Sequence, residues 1–227
     1  MSFFSDLDFM ALWQYRLALL GAIGMTCGLA VASFLAASPL AVVLATARRW
    51  KSRVLRVAAS TFVELWRDTP LLVQALWVHF ALPMITHINT TPVQSGLIAL
   101  TFNNAAYMSE IFRSGIDGIG RGQWEAADAL GLRAWPKWRH VLLPQALRIV
   151  MPPLTGFAIS VLKGTAIISI LAVTELMRVS TQINNVTFRP IEIFTFAAAV
   201  YLVIGLLIFA IGKSIEFRFA EAGAGKP

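Results

Sequence analysis

Long apolar stretches separated by short basic clusters set the pattern of this chain. Residues 17–47 run without a single charge. That exceeds the roughly 20 residues a helix needs to cross a bilayer, so a tilted helix or one with an interfacial end is expected. Arg48, Arg49, Lys51, Arg53 and Arg56 follow at once, five cations in a short loop. A second apolar stretch, about 57–85, is interrupted by Glu64, Arg67, Asp68, Thr69 and Pro70. Asp68 or Thr69 can cap a new helix with Pro70 in its first turn. The stretch is then either one helix kinked at Pro70 or an interfacial helix followed by a spanning one. A loop at 84–92 without Lys or Arg leads to a third stretch, about 93–112, with Glu110 near its end. The fourth, about 149–173, has Lys163 in its middle, and the fifth covers about 193–211. A mixed segment at 175–192 separates the last two and is expected on the outer face.

The basic residues fix an expected orientation. Cytoplasmic loops of membrane proteins are enriched in Lys and Arg. The 48–56 cluster, the interval 113–148 with Arg113, Arg121, Arg133, Lys137, Arg139 and Arg148, and the tail with Lys213, Arg218 and Lys226 all fall on one side of a five-span arrangement. The sequence therefore predicts an all-α polytopic membrane protein of about five transmembrane helices, N-terminus outside and C-terminus cytoplasmic. Residues 1–16 are an external or interfacial segment, 17–217 the transmembrane unit and 218–227 a cytoplasmic tail. The interval 113–148 is not linker-like, because Trp124, Leu130, Leu132, Trp135, Trp138, Val141 and Leu142 give it an apolar side. The glycines between Gly115 and Gly122 read as a flexible turn after the third span.

Composition narrows the classes. Of 227 residues 57% are hydrophobic and 14% charged, against about a quarter charged in ordinary soluble domains. The net charge of +7 sits in the loops and comes with no nucleic-acid-reading motif, so no nucleic-acid partner is expected. Cys27 is the single cysteine, and His79, His87 and His140 lack metal-ligand spacing, so neither an internal disulfide nor a metal site is expected. No basic residue precedes Arg16, which does not fit a cleaved signal peptide. No Gly-x-x-x-x-Gly-Lys-Ser/Thr phosphate loop occurs, so the chain is not expected to be an enzyme.

One constellation is more specific. Glu125-Ala126-Ala127 is followed after three residues by Gly131, after nine more by Val141, and then by Leu143-Pro144. Glu125 to Leu130 should form a short helix ended by Gly131 in a left-handed conformation, with Pro136 in the first turn of a second helix. The spacing resembles the EAA loop of ATP-binding-cassette (ABC) importer permeases. Trp66-Arg67-Asp68-Thr69-Pro70-Leu71-Leu72-Val73-Gln74, Ala105-Ala106-Tyr107-Met108-Ser109-Glu110-Ile111-Phe112-Arg113, Gly122-Gln123-Trp124, Gln145-Ala146 and Lys163-Gly164-Thr165 are similar to segments of the polar amino-acid uptake branch (histidine, glutamate, glutamine, arginine and opine type). Asp68, Gly164 and Ala166 depart from its usual Gly, Asp and Ser. Losing the acid at position 164 leans against a cationic amino acid.

The resemblance implies a type I importer permease of the bacterial cytoplasmic (inner) membrane. Such a subunit works with an ATP-binding-cassette subunit that holds ATP and Mg. A second permease, identical or not, and a periplasmic or extracellular solute-binding protein complete the assembly. By this resemblance Glu125, Ala126, Ala127, Gly131, Leu143 and Pro144 form the ATPase-coupling knob. Substrate-path candidates are Lys163, Thr165, Glu110, Arg67 and Thr69. Lys163 is either a path residue that meets a substrate carboxylate or a structural lysine paired with a helix-end carbonyl or a carboxylate such as Glu110. The alternative function is a secondary transporter driven by an ion gradient, a class that often shows paired halves with broken helices. No internal repeat is visible here.

Overall fold

The computed structural model describes residues 9–221, so the outermost parts of the expected terminal segments, 1–8 and 222–227, lie outside the described residues. All regular structure among the described residues is helical. A 3-10 turn, Phe9–Tyr15, leads into α1 (Arg16–Ala47). The basic loop gives way to α2 (Arg53–Asp68), then α3 (Leu71–Leu76) and α4 (Leu82–Thr86), joined by a π-helical turn at Trp77–Ala81. Next come α5 (Pro92–Asp117), α6 (Arg121–Ala129), the single turn α7 (Ala134–Pro136), a second π-helical turn at Lys137–Leu142 and α8 (Leu143–Thr165). A 3-10 segment, Ala166–Leu171, precedes α9 (Leu176–Thr187) and α10 (Pro190–Glu221). Three helices, Leu12–Ala47, Ala134–Leu171 and Pro190–Phe219, are long and apolar enough to cross a membrane. A fourth span results if the bent pair Arg53–Asp68 and Leu71–Thr86 counts as one. The third expected span coincides with the 26-residue α5, which carries Asn103, Asn104, Ser109 and Glu110 among its apolar positions.

Two sequence readings change. Gly115 is no turn residue: it lies inside α5, and a Cβ there would stand 2.1 Å from Val150 Cγ2 of α8. Its missing side chain lets the two helices touch. The second helix of the predicted knob is no separate piece either, because Ala134–Leu171 is one continuous helix. Its π turn ends two residues before Pro144, and the π turn at Trp77–Ala81 ends two residues before Pro83. A proline has no N–H and its ring crowds the carbonyl four residues back. The wider i→i+5 winding makes room for that ring without ending the helix.

The ambiguity at Pro70 resolves into a sharp bend. α2 and Leu71–Thr86 meet at 106°. Within a helix, Trp66 O would accept from the N–H of residue 70, which proline lacks. Gln74 Nε2 (2.8 Å) and Asn103 Nδ2 (3.0 Å) donate to that oxygen instead. Gln74 Nε2 also lies 3.0 Å from Thr69 O, and its Oε1 accepts from Asn103. Thr69 Oγ1 donates to Leu65 O at 2.7 Å. Side chains thus satisfy the carbonyls freed by the bend, as backbone groups away from water require. Gln74→Leu removes the side-chain donor to Thr69 O, one of the two donors to Trp66 O and one of the two acceptors of Asn103 Nδ2, a loss of about 1–3 kcal/mol. A lowered melting temperature of the purified complex checks this; an unchanged one contradicts the role given to Gln74.

α5 is the central helix. α1 runs along it, and α2, α3 and α8 pack on its other sides. Toward the basic end Val63 and Met108 pack among Ala37, Ala41, Ala105 and Ala106, small residues that let backbones approach. Phe62, Trp66 and Phe102 fill the elbow, with ring centroids 5.2–6.0 Å apart. At the opposite end Leu19, Leu176, Ile183 and Ile193 join α1, α9 and α10. There the fully buried Glu175 caps α9, accepting from Met177 N (2.9 Å), Arg178 N (2.6 Å) and Tyr201 Oη (2.9 Å). Burial pushes the Glu175 carboxyl above its ordinary value, against the lowering by these donors.

Candidate functional site

The Glu125–Pro144 motif folds as a compact knob. α6 ends in a Schellman motif: Gly131 takes φ +66°, its N–H donates to Asp128 O (2.9 Å) and Leu132 N donates to Ala127 O (3.2 Å). Ile119, Leu142 and Ala146 form its small core, with Trp124 and Trp138 edge-to-face at 5.9 Å. Lys137 pairs with Asp128, and Gln145 Nε2 donates to Gln123 Oε1 at 3.0 Å. The two alanines part company: Ala127 is buried in the knob, whereas Ala126 is exposed. Of the two, Ala126 alone offers a low-profile surface on which a partner can pack. Glu125 is exposed, as is Leu143, while Pro144 is half-buried. Leu130 and Trp135, at 76% and 71% exposure, make the tip apolar.

Four arginines converge beside the knob. Glu110 pairs with Arg48 from the end of α1, with Arg67 of α2 at 3.4 Å and with Arg113 of α5 at 2.8 Å. Asp117, one turn past Arg113, holds Arg49 and lies 3.0 Å from Arg113. Two carboxylates on α5 thus tie together the end of α1, the elbow helix and the approach to the knob. The Arg67 guanidinium also lies over the Tyr107 ring, 5.5 Å from its centroid.

A cavity of about 400 Å³ opens between α5 and α8, lined by Leu71, Asn103, Asn104, Tyr107, Phe157, Ser160, Val161, Lys163, Gly164 and Ile167. Its size suits a small polar solute. Lys163 is the one charged residue in that lining. It is exposed on this chain and makes no hydrogen bond or ion pair within the described residues, so the pairing with Glu110 or a helix-end carbonyl is absent. Asn103 and Asn104 spend their amide N–H groups on Gln74, Trp66 O and Ser33 Oγ (3.2 Å). Their carbonyl oxygens take no donor among the described residues. The cavity therefore offers one ammonium group and amide acceptors. A larger hollow of about 570 Å³ between α1 and α9 has no charged residue in its lining.

The other path candidates lie elsewhere. Thr165 is fully buried and donates to Leu162 O at 2.7 Å. Glu110 and Arg67 belong to the ion cluster, and Thr69 lies at the elbow beside Trp66 and Trp77. Asn103 and Asn104 were not picked out in the sequence. Two adjacent amides in the middle of an apolar stretch were the available signal, since polar groups at membrane depth need a partner or an aqueous path.

Comparison with known proteins bears on the chain as a whole. Residues 37–221 match the family model described as the binding-protein-dependent transport system inner membrane component. A glutamine transport system permease protein of Escherichia coli (strain K12) is 32% identical over 212 residues, covering 93% of this chain and 97% of the relative. A putative glutamine transport system permease protein of Rickettsia conorii is 34% identical over 177 residues, 78% of this chain and 81% of the relative. The crystal structure of an amino acid ABC transporter with histidines superposes with a TM-score of 0.87 at 30% identity, covering 94% of this chain and 99% of that one. The ion-gradient alternative finds no support in these matches. The apolar spans, the helical knob and the match across residues 37–221 agree, and the chain belongs to the family of binding-protein-dependent transport system inner membrane components.

Proposed function

We propose that this chain is the permease subunit of an ATP-driven importer of polar amino acids, with five spans, its N-terminus outside and its C-terminus in the cytoplasm of a bacterial cell. α5 supplies the fifth crossing, its polar residues facing the path and the neighbouring helices. The carrying observation is the knob: an apolar tip fused without a break to the spanning helix Ala134–Leu171. An ATPase subunit that holds ATP and Mg would grip Ala126, Leu130 and Trp135, and movement of the knob would pass straight down the helix to Lys163. A second permease would close the open side of the cavity, and a solute-binding protein would deliver substrate from outside. ATP hydrolysis belongs to the partner.

The cavity supports an uncharged or zwitterionic polar amino acid, glutamine above all. Lys163 meets the substrate carboxylate, and the Asn103 and Asn104 oxygens accept from its ammonium or amide N–H groups. With Gly164 in the wall there is no acid here to favour a cationic side chain. An added Cβ at Gly164 would meet only ordinary contacts, 3.6 Å from Leu71 and Leu100, so chemistry rather than space distinguishes the position. ATP-driven uptake of labelled glutamine into proteoliposomes tests the reading. Lys163→Met is expected to cut uptake at least tenfold, about the loss of one charge-assisted hydrogen bond, while complexes assemble normally. Failed assembly would instead make Lys163 a structural residue.

A further inference from the structure

The cavity beside Lys163 stops at a pair of aromatic rings. α5 runs antiparallel to the continuous helix Ala134–Leu171, in a register fixed by close approaches. A Cβ on Gly96 would meet Ile168, one on Gly164 would lie 3.6 Å from Leu100, and one on Gly115 would meet Val150. That register sets Tyr107 opposite Phe157, and their rings stack with centroids 5.9 Å apart. Asn103 and Asn104 lie about one turn farther from the knob on α5, and Ser160 and Lys163 about one to two turns farther on α8. Tyr107 and Phe157 both line the cavity, and among the described residues no position of either helix nearer the knob does so. Within about two turns on the knob side of Tyr107 come Glu110 and Arg113 with their ion pairs. Two aromatic rings thus separate a polar cavity from a charged cluster.

Tyr107 is also tied to the elbow. Its hydroxyl donates to Arg67 O at 3.2 Å, and the Arg67 guanidinium that lies over its ring pairs with Glu110. Tyr107 is 38% exposed on this chain, so part of it reaches the open side of the cavity. We infer that Tyr107, backed by Phe157, is the inner gate of the path, closing the cavity toward the cytoplasm when the knobs are drawn together. An aromatic constriction between two polar regions sheds water and so holds back polar solutes. The tether to Arg67 makes the ring follow the joint at Glu110, so the gate moves with the elbow and the approach to the knob. This rests on the permease reading above.

The test uses the complete transporter in liposomes loaded with labelled glycine and labelled glutamine. A non-hydrolysable nucleotide holds the ATP-binding subunits together, which leaves the inner seal as the barrier. The unmodified complex is expected to retain both solutes. Tyr107→Ala is expected to raise their efflux roughly tenfold or more, and Phe157→Ala to do the same from the facing helix. Tyr107→Phe keeps the ring, loses only the hydroxyl and is expected to stay sealed. Efflux at the unmodified rate from assembled Tyr107→Ala and Phe157→Ala complexes overturns the inference. So does Tyr107→Phe leaking as fast as Tyr107→Ala. Should neither alanine variant assemble by size-exclusion chromatography, the pair is packing and the inference fails as well. Glycine efflux does not depend on which amino acid the cavity fits. The permease reading is judged separately, by ATP-driven uptake into the unmodified complex: its loss defeats that reading, whereas tight alanine variants with uptake intact defeat only the gate.

Discussion

Glu110→Gln is expected to dismantle the joint between α1, the elbow and the knob. Glu110 is the shared partner of Arg48, Arg67 and Arg113, and its side chain is only 20% exposed. Neutralising it leaves three guanidiniums facing one another around a group that no longer carries charge. Removing one partner of a buried ion pair costs about 3–5 kcal/mol. Partial exposure and the remaining hold of Asp117 on Arg113 and Arg49 reduce that to roughly 2–3 kcal/mol. That is enough to release α2 from α5, so stable complex and uptake should both fall by an order of magnitude or more. Glu110→Asp, which keeps the charge on a shorter arm, should recover part of each. The check is the yield of assembled transporter by size-exclusion chromatography alongside ATP-driven uptake. If Glu110→Gln assembles and transports normally, the cluster is surface decoration.

The second large effect is expected at Gly131. Its φ of +66° lies where an L side chain is strained, and its N–H is committed to Asp128 O. Proline can adopt neither that φ nor that hydrogen bond. Gly131→Pro should therefore unmake the Schellman turn, misdirect α6 and sever the tip from Ala134–Leu171. Gly131→Ala keeps the N–H and costs about 1–2 kcal/mol for the left-handed conformation, so it should fall between wild type and proline. Because the turn lies outside the spans, insertion and permease pairing should persist. Uptake should fall at least a hundredfold in Gly131→Pro, with ATP hydrolysis no longer stimulated by substrate. Glu125→Lys, a charge reversal on the exposed face of α6, should uncouple in the same way. Substrate-stimulated hydrolysis at the wild-type level in either variant contradicts the coupling role.

How far the sequence reaches depends on how local the signal is. The uncharged run of α1 and the apolar run of α10 are each complete within their own residues, and both helices lie where hydropathy placed them. Gly131 was readable because a helix-ending glycine is a local device. Lys163 lies in the middle of an apolar stretch in sequence, yet it is exposed on the isolated chain because α8 ends in an open cavity rather than in packed helices. Asp68 and Pro70 announced a break but not a 106° bend. That angle depends on Asn103, some thirty positions away, replacing the donor that proline lacks. Gly115 misled for the same reason: a glycine facing Val150 across two helices has the same sequence signature as one in a turn. The convergence of Arg48, Arg67 and Arg113 on Glu110 joins three elements and left no pattern along the chain.

The most direct measurement is glutamine uptake into proteoliposomes carrying this chain, its ATP-binding subunit and its solute-binding protein. With ATP and Mg inside the coupling compartment, the account predicts accumulation of labelled glutamine against its gradient. It also predicts that accumulation stops with a non-hydrolysable nucleotide and is indifferent to ionophores that dissipate proton and sodium gradients. Uptake that continues without nucleotide and collapses on adding those ionophores would contradict it.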